Sequence, residues 1–453
     1  MSKLQDWMRR STLVLALAAM AFATGIQPVF AQQIAVIRDA EVESMIRSFA
    51  LPLMKVAGLA RKNPKVVLVN DRRFNAFVIE DGTIFVNYGA ILDVETPNEL
   101  KAVLAHEIGH AAGGHLARLR EQADTQSKLQ VISMLLGVGA MAAASRNGNT
   151  DLSGMAGAFI MASQSASVSS LMAFRRSEES AADASALKYL EATGQSGKGL
   201  VKVLELLQHN ESTGSSATAY LRTHPLAQDR LNQVEEAAKR GKYYNRGDSA
   251  ADTRELALAQ AKLVGFLEGQ AVTLSRYPNS DKSIPARYAR IIAAYRSGAA
   301  IGAVRLMPGL ISADPKNPYF YELYGQMLFE TGKASEALKP LRTAIQLANP
   351  ATQIRILYGQ ALVDAGGTAN FNEALVQLNR AASEGEKTAW VYTTMSRAYG
   401  GLGMTGEATL AAAEAAVARD DLPTALGLAR RAQQDLKKNS PAWLRADDIL
   451  NLG

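Results

Sequence analysis

Apolar positions in the first part of the chain change period twice. Between Ala40 and Leu59 they fall at Val42, Ile46, Phe49 and Leu53, the spacing of one helix face. Val66-Val67-Leu68-Val69 is β-rich and stops at Asn70-Asp71, which predicts a strand ending in a turn. Ala76–Ile79, then Asp81-Gly82, then Ile84–Asn87 predicts a hairpin closed by a tight turn. Thr96-Pro97-Asn98-Glu99 predicts a helix start, with Thr96 as cap and Pro97 in the first turn. That helix runs through Leu100, Val103 and Leu104, and Gly113-Gly114 loosens its end.

From Leu129 to Ala144, and again from Met155 to Phe174, the chain is almost wholly apolar, interrupted at Arg146–Asn149. A buried helical hairpin is expected; a lid or a membrane-facing element is the alternative. Neither half makes a convincing 20-residue span. Lys239 to Asp252 is polar and reads as a linker. Beyond it Gly298, Gly332 and Gly366 recur every 34 residues, with Tyr324, Gly325 and Leu328 ahead of the second and Tyr358, Gly359 and Leu362 ahead of the third. Three extra residues near Asn370–Ala374 precede a return to register at Tyr399 and Gly403. The period resembles the tetratricopeptide repeat, two helices per unit, with about four units and a degenerate start and end.

The basic start at Arg9-Arg10, the apolar run Leu13–Phe22 and the small-residue site at Val29-Phe30-Ala31 read as a cleaved signal peptide over 1–31. Arg9-Arg10 also admits twin-arginine export. The formal net charge is +6. Lys3, Arg9 and Arg10 against Asp6 account for +2 of it. The remaining +4 is spread thinly, without the basic stripe that nucleic acid requires. There is no cysteine, so any metal must be held by His and carboxylate.

His106-Glu107-Ile108-Gly109-His110 supplies that chemistry. Histidines four apart share one helix face and reach one metal ion, while Glu107 stands beside them as a base for water. The next histidine, His115, misses the spacing of a third metzincin ligand, since Leu116 occupies that place. On a continuing helix His115 points roughly 140° away from His110, which suits a helix-end or outer position. Further on, Glu179 and Asp183 lie four apart. Glu179 is the candidate third ligand, with Glu178 as its competitor, and Asp183 the candidate partner for a ligating imidazole.

This set, His106-Glu107-x-x-His110 with Glu179-x-x-x-Asp183, resembles the gluzincin peptidases of the HtpX and CAAX-prenyl-protease type, as do Asn75-Ala76-Phe77 and Ile84-Phe85-Val86-Asn87-Tyr88-Gly89. The resemblance implies Zn²⁺, one ion per chain, held by His106, His110 and Glu179, with Glu107 catalytic and Asp183 behind the ligands. It implies a mainly α fold: a metallopeptidase domain with a small β-sheet over 32–240, then a tetratricopeptide-repeat solenoid over 255–453. His224-Pro225 is similar to a segment whose His occupies the open zinc position in periplasmic relatives, making His224 a candidate regulatory ligand. A helix-cap His before Pro is the alternative. Ala181 departs from the family, where a second Glu is frequent.

Substrate is expected to pair with Ile84, Phe85, Val86 and Asn87 as an edge strand. The implied function is a periplasmic zinc endopeptidase degrading misassembled outer-membrane proteins and assisting their assembly. Its implied partners are such substrates and, through the repeats, the β-barrel assembly machinery, with peripheral membrane contact also open. The alternative is a non-proteolytic chaperone or scaffold acting through its repeats, with a structural zinc site.

Overall fold

Asp39 opens the first helix, Ala40–Val56, by accepting the Val42 N–H at 2.9 Å, and Val42, Ile46, Phe49 and Leu53 are buried as their spacing predicts. The coordinates are a computed structural model. They describe residues 35–59, 64–79, 81–115, five positions between 117 and 125, 172–213, 220–221, 224–226 and 228–453. The signal-peptide reading and nearly all of the 129–174 stretch fall outside those residues. Among the described residues no helix is long and apolar enough to cross a membrane.

Four strands form one sheet: β1 (Val36–Ile37), β2 (Val66–Val69), β3 (Ala76–Val78) and β4 (Ile84–Asn87), ordered β1-β2-β4-β3. β3 and β4 are the expected antiparallel hairpin, with Phe77 opposite Phe85 and their rings stacked at 4.6 Å. Gly82 turns the chain at φ +82°, and Asp81 accepts the Thr83 N–H at 2.7 Å. β2 lies on the other side of β4, parallel, with Val66 opposite Ile84. The motif helix, Pro97–Gly113, starts at Thr96 as expected: its hydroxyl accepts the Glu99 N–H, and Glu99 accepts the Glu95 N–H at 2.8 Å. That helix is buried along almost its whole length.

The 34-residue pattern is a solenoid of helix pairs. Ile284–Arg296 pairs with Ala300–Ala313, Pro318–Glu330 with Ala334–Leu347, Thr352–Ala365 with Thr368–Ser383, and Ala389–Gly401 with Thr405–Val417. Gly298, Gly332 and Gly366 sit at φ +95°, +79° and +71° in the turns within the first three pairs, where a residue without Cβ is favoured. The insertion lengthens Thr368–Ser383 to 16 residues against 14 for Ala334–Leu347. Further helix pairs stand at each end, Ala250–Leu267 with Gly269–Arg276 and Leu422–Asp435 with Pro441–Leu450.

The polar stretch before the solenoid is tied down by specific bonds. Ser196 Oγ donates to the Tyr244 carbonyl at 2.5 Å, and Lys101 Nζ meets Asp252 Oδ2 at 2.6 Å. Helix Ala250–Leu267 then gives Leu256, Ala259, Leu263 and Val264 to the core around the sheet and Leu258 and Ala261 to the core of the first repeats.

Candidate active site

The site is built where three helices and the segment that carries Tyr220 and His224 converge. The motif helix presents His106, Glu107 and His110. A helix over residues 172–192 presents Glu179 and Asp183 one turn apart. Gly109 allows the close crossing: a Cβ there would stand 3.0 Å from the Ala182 carbonyl and 3.2 Å from Ser185 Cβ. Tyr220 and His224 approach from the segment that follows helix Lys198–Thr213. Arg230, in helix Gln228–Lys239, closes the back.

Donor atoms meet at near-equal spacing. His106 Nε2 is 3.0 Å from His110 Nε2 and 3.3 Å from Glu179 Oε2, and His110 Nε2 is 3.3 Å from Glu179 Oε1. His224 Nδ1 adds 3.4 Å to His106 Nε2 and 3.0 Å to Glu179 Oε1. Ligands of a tetrahedral zinc at 2.0–2.1 Å are separated by about 3.3 Å, so an ion of that size fits among these donors. Ring orientation agrees. Asp183 Oδ1 lies 2.9 Å from His106 Nδ1, an ion-pair distance without hydrogen-bond alignment, and the negative charge there favours a proton on that nitrogen, which leaves the Nε2 lone pair to face inward. Two inward lone pairs at 3.0 Å repel unless a cation lies between them.

Electrostatics at the cluster point the same way. Burial disfavours charge on His106, but Asp183 and Glu179 outweigh it and lift its pKa to about 10: the cluster calls for positive charge. Burial would also raise Glu179, yet contacts from His106, His110 and His224 hold it far below the usual carboxylate range. Asp183 is likewise held low against its burial by Arg230 and His106. Arg230 grips Asp183 with Nε at 2.5 Å and Nη2 at 2.9 Å, and its Nη1 reaches Glu179 Oε2 at 2.9 Å. The four residues His106, His110, Glu179 and His224 therefore suit a divalent metal.

Glu107 is 2 % exposed, and Tyr220 Oη donates to its Oε1 at 2.7 Å. Burial and the Glu107 charge push the Tyr220 phenol well above its ordinary value, so it stays a donor. Tyr220 stacks on His224 at 4.3 Å and meets Phe74 edge-on. A cavity of about 520 Å³ opens beside Glu107, His110 and His224, bordered by Asn75–Ile79 and Phe174.

The strand on that cavity corrects one expectation. Ile84–Asn87 is not an edge, because β4 is paired on both sides. Ile84 and Val86 point into the core at 0 % exposure, and Asn87 donates to the Arg73 carbonyl at 3.1 Å. The outer strand is β3, and it is β3 that lines the cavity. Glu178, the competitor for Glu179, is turned away from the donor cluster and pairs with His115 Nε2 at 2.9 Å and Arg118 Nη2 at 2.7 Å. Tyr220 and Arg230 carried no role in the sequence reading. Arg230, six residues after His224, was the available signal, since a buried Asp183 demands a cation.

A helix-borne His-Glu-x-x-His pair, a carboxylate from a second helix and a strand along the cleft define a metallopeptidase. Residues 37–238, which carry the site, match the model of Peptidase family M48, and with the relatives that follow this makes the protein a metalloprotease. Over 419 residues, 91% of this chain and 82% of the relative, it is 23% identical to the Beta-barrel assembly-enhancing protease of Escherichia coli (strain K12). Identity is again 23% to the protein of the same name from Yersinia pestis, over 84% of this chain and 76% of that one. The Mitochondrial metalloendopeptidase OMA1 of Schizosaccharomyces pombe is 26% identical over 41% of this chain and 49% of its own.

Proposed function

We propose that this metalloprotease is a periplasmic zinc endopeptidase that degrades misassembled outer-membrane proteins, and that its repeats bring it to the assembly machinery and assist assembly. The observation that carries the catalytic reading is the near-tetrahedral spacing of His106, His110 and Glu179 with Glu107 alongside. The substrate class rests on the relatives named for β-barrel assembly, and the compartment on the signal-like residues 1–31. The peptidase domain is assigned to 32–240 and the repeat domain to 255–453.

When bound by these donors, zinc polarises the peptide carbonyl and brings the pKa of water toward neutrality. Glu107 takes the proton of the attacking water and returns it to the leaving amine. Tyr220 holds Glu107 Oε1 in place through its hydroxyl. Arg230 and Asp183 fix the His106 ring, so the donors are ordered before substrate arrives. The outer strand β3 offers unpaired backbone groups to an extended substrate, a mode that tolerates many sequences. Glu107→Gln is expected to lower casein cleavage by about 10²- to 10⁴-fold with zinc still bound. Undiminished cleavage would sink the assignment. The closed fourth position favours keeping a second reading, a scaffold acting through its repeats. Full rescue of a deletion strain's envelope defect by Glu107→Gln would select it.

His224 is assigned as a self-inhibitory ligand. Its Nδ1 completes the shell at 3.0 Å from Glu179, and its Nε2 lies 3.7 Å from Glu107 Oε1, so it stands where water and the peptide carbonyl must enter. His224→Ala is expected to raise basal proteolysis several-fold. An equal or lower rate in a folded, zinc-loaded variant counts against the switch.

A further inference from the structure

The helix carrying the motif does not continue past Gly113. Gly114 adopts φ +66°, and its N–H returns to the Ala111 and His110 carbonyls. That left-handed residue ends the helix and folds the next residue back over the last turn. His115 is therefore brought under His110: the two Nδ1 atoms are 2.7 Å apart, and the rings meet at 85°. Gly113 is what lets the ring lie there, since a Cβ on it would stand 2.5 Å from His115 Cδ2 and closer still to Nε2. On its other side His115 Nε2 is 2.9 Å from Glu178 Oε2. Glu178 is held in turn by Arg118 Nη2 at 2.7 Å, and Arg118 also donates to the Gly113 carbonyl.

The geometry points to His115, anchored by Glu178 and Arg118, as the positioning residue that sets the tautomer and direction of His110. The carboxylate of Glu178 can only accept and stands 2.9 Å from His115 Nε2, so its charge favours the His115 proton on that nitrogen. The His115 Nδ1 lone pair then faces His110 Nδ1 and is satisfied only if His110 carries its proton there. That leaves His110 Nε2 bare and aimed at His106 Nε2 and Glu179. His106 obtains the same service from Asp183 on a neighbouring helix. Among the described residues no carboxylate meets His110 Nδ1, and His115 extends the reach of one by a ring's width. The spacing His110-x-x-x-x-His115, with two glycines between, is thus a device for turning a short helix end into an outer shell. A metal-ligating imidazole held in this way keeps its ligand orientation; loss of such a partner weakens metal affinity by about 10- to 100-fold.

This inference rests on the zinc reading of the site. Its test is zinc affinity of the full chain, measured by competition with a chromophoric chelator. His115→Ala is expected to raise the zinc Kd by about 10- to 100-fold. His115→Asn, whose side-chain oxygen accepts from His110 Nδ1, is expected to recover most of that loss. Gly113→Ala keeps every polar group but displaces the His115 ring. It is expected to weaken zinc binding while favouring the helix, the opposite of what a purely structural role for this turn predicts. A parent that binds zinc with His115→Ala and Gly113→Ala within twofold of it overturns the relay and leaves the metal site standing, as does a His115→Asn no better than His115→Ala. A parent that binds no zinc overturns the metal reading and the relay with it. Where His115→Ala does not fold, Glu178→Ala decides: a severalfold weaker zinc Kd supports the relay, and an unchanged one overturns it.

Discussion

Among the described residues two clusters of buried carboxylates invite comparison, one at the active site and one away from it. At the active site Glu179 and Asp183 are 3% and 2% exposed. Near the solenoid's first repeats, Glu41 and Glu322 are buried beside Asp39, Lys262, Tyr288 and Tyr319. The second cluster carries its own cation in the middle: Lys262 Nζ lies 2.8 Å from Asp39 Oδ2, 3.5 Å from Glu41 Oε2 and 3.7 Å from Glu322 Oε2. Tyr288 Oη donates to Glu41 at 2.8 Å. At the active site the protein's cation, Arg230, is kept behind the carboxylates, and what faces the centre is a set of nitrogen and oxygen lone pairs. Buried acid alone therefore does not mark a metal site. The mark is whether the chain fills the middle of the cluster with an ammonium or leaves it to a ligand.

The largest expected effect breaks the internal cation. Lys262→Met keeps an unbranched apolar stem, removes the ammonium and strands the acids around it. At pH 8 it is expected to lower unfolding free energy by about 3–5 kcal/mol, read by urea denaturation with zinc in excess. A loss below about 1 kcal/mol would mean that water or a neighbouring group already neutralises Asp39, Glu41 and Glu322, and the contrast between the clusters would fail. Because this cluster joins helix Ala40–Val56 to helices Ala250–Leu267, Ile284–Arg296 and Pro318–Glu330, the loss reports how firmly the peptidase core is fastened to the repeats.

These clusters also differ in how much of them could be read from residues alone. His106, Glu107, His110, Glu179 and Asp183 were legible because helical spacing puts each pair on one face, so short-range periodicity encodes the contact. The hairpin, the Thr96 cap and the 34-residue turns were legible for the same local reason. The edge strand was not. β2 inserts parallel beside β4 from outside the hairpin, and nothing between Ala76 and Asn87 records that neighbour. Arg230 and Tyr220 reach the site across long chain separations, as Lys262 reaches Glu41 across more than two hundred residues. In sequence Glu41, Lys262 and Glu322 look like any charged helix positions, which are normally solvated. Their burial is a property of how the elements pack.

The smallest expected effect is a slope with pH. Burial is the main cause that pushes Glu41 and Glu322 up to about 7 from an ordinary 4.5, against the opposing pull of Lys262. The folded chain therefore holds protons on these groups that the unfolded chain has released. Their contribution to stability is fully present below pH 4.5 and is lost as pH rises through about 7. The facing groups are Asp39, Tyr288, Tyr319 and Lys262. Tyr319 is pushed up to about 12 by burial, and Lys262 and Tyr288 are held well above their ordinary values, so none of those three titrates in the window. With zinc saturating, Tm is expected to fall between pH 5 and 8 by on the order of a few degrees for a chain of this size. The double variant Glu41→Gln with Glu322→Gln should flatten that slope, because an amide cannot ionise. The Lys262→Met deficit should shrink toward pH 5 for the same reason. A parent and double variant with parallel profiles would place the charge on Glu41 and Glu322 at all these pH values. Lys262 would then neutralise the cluster with no help from protons.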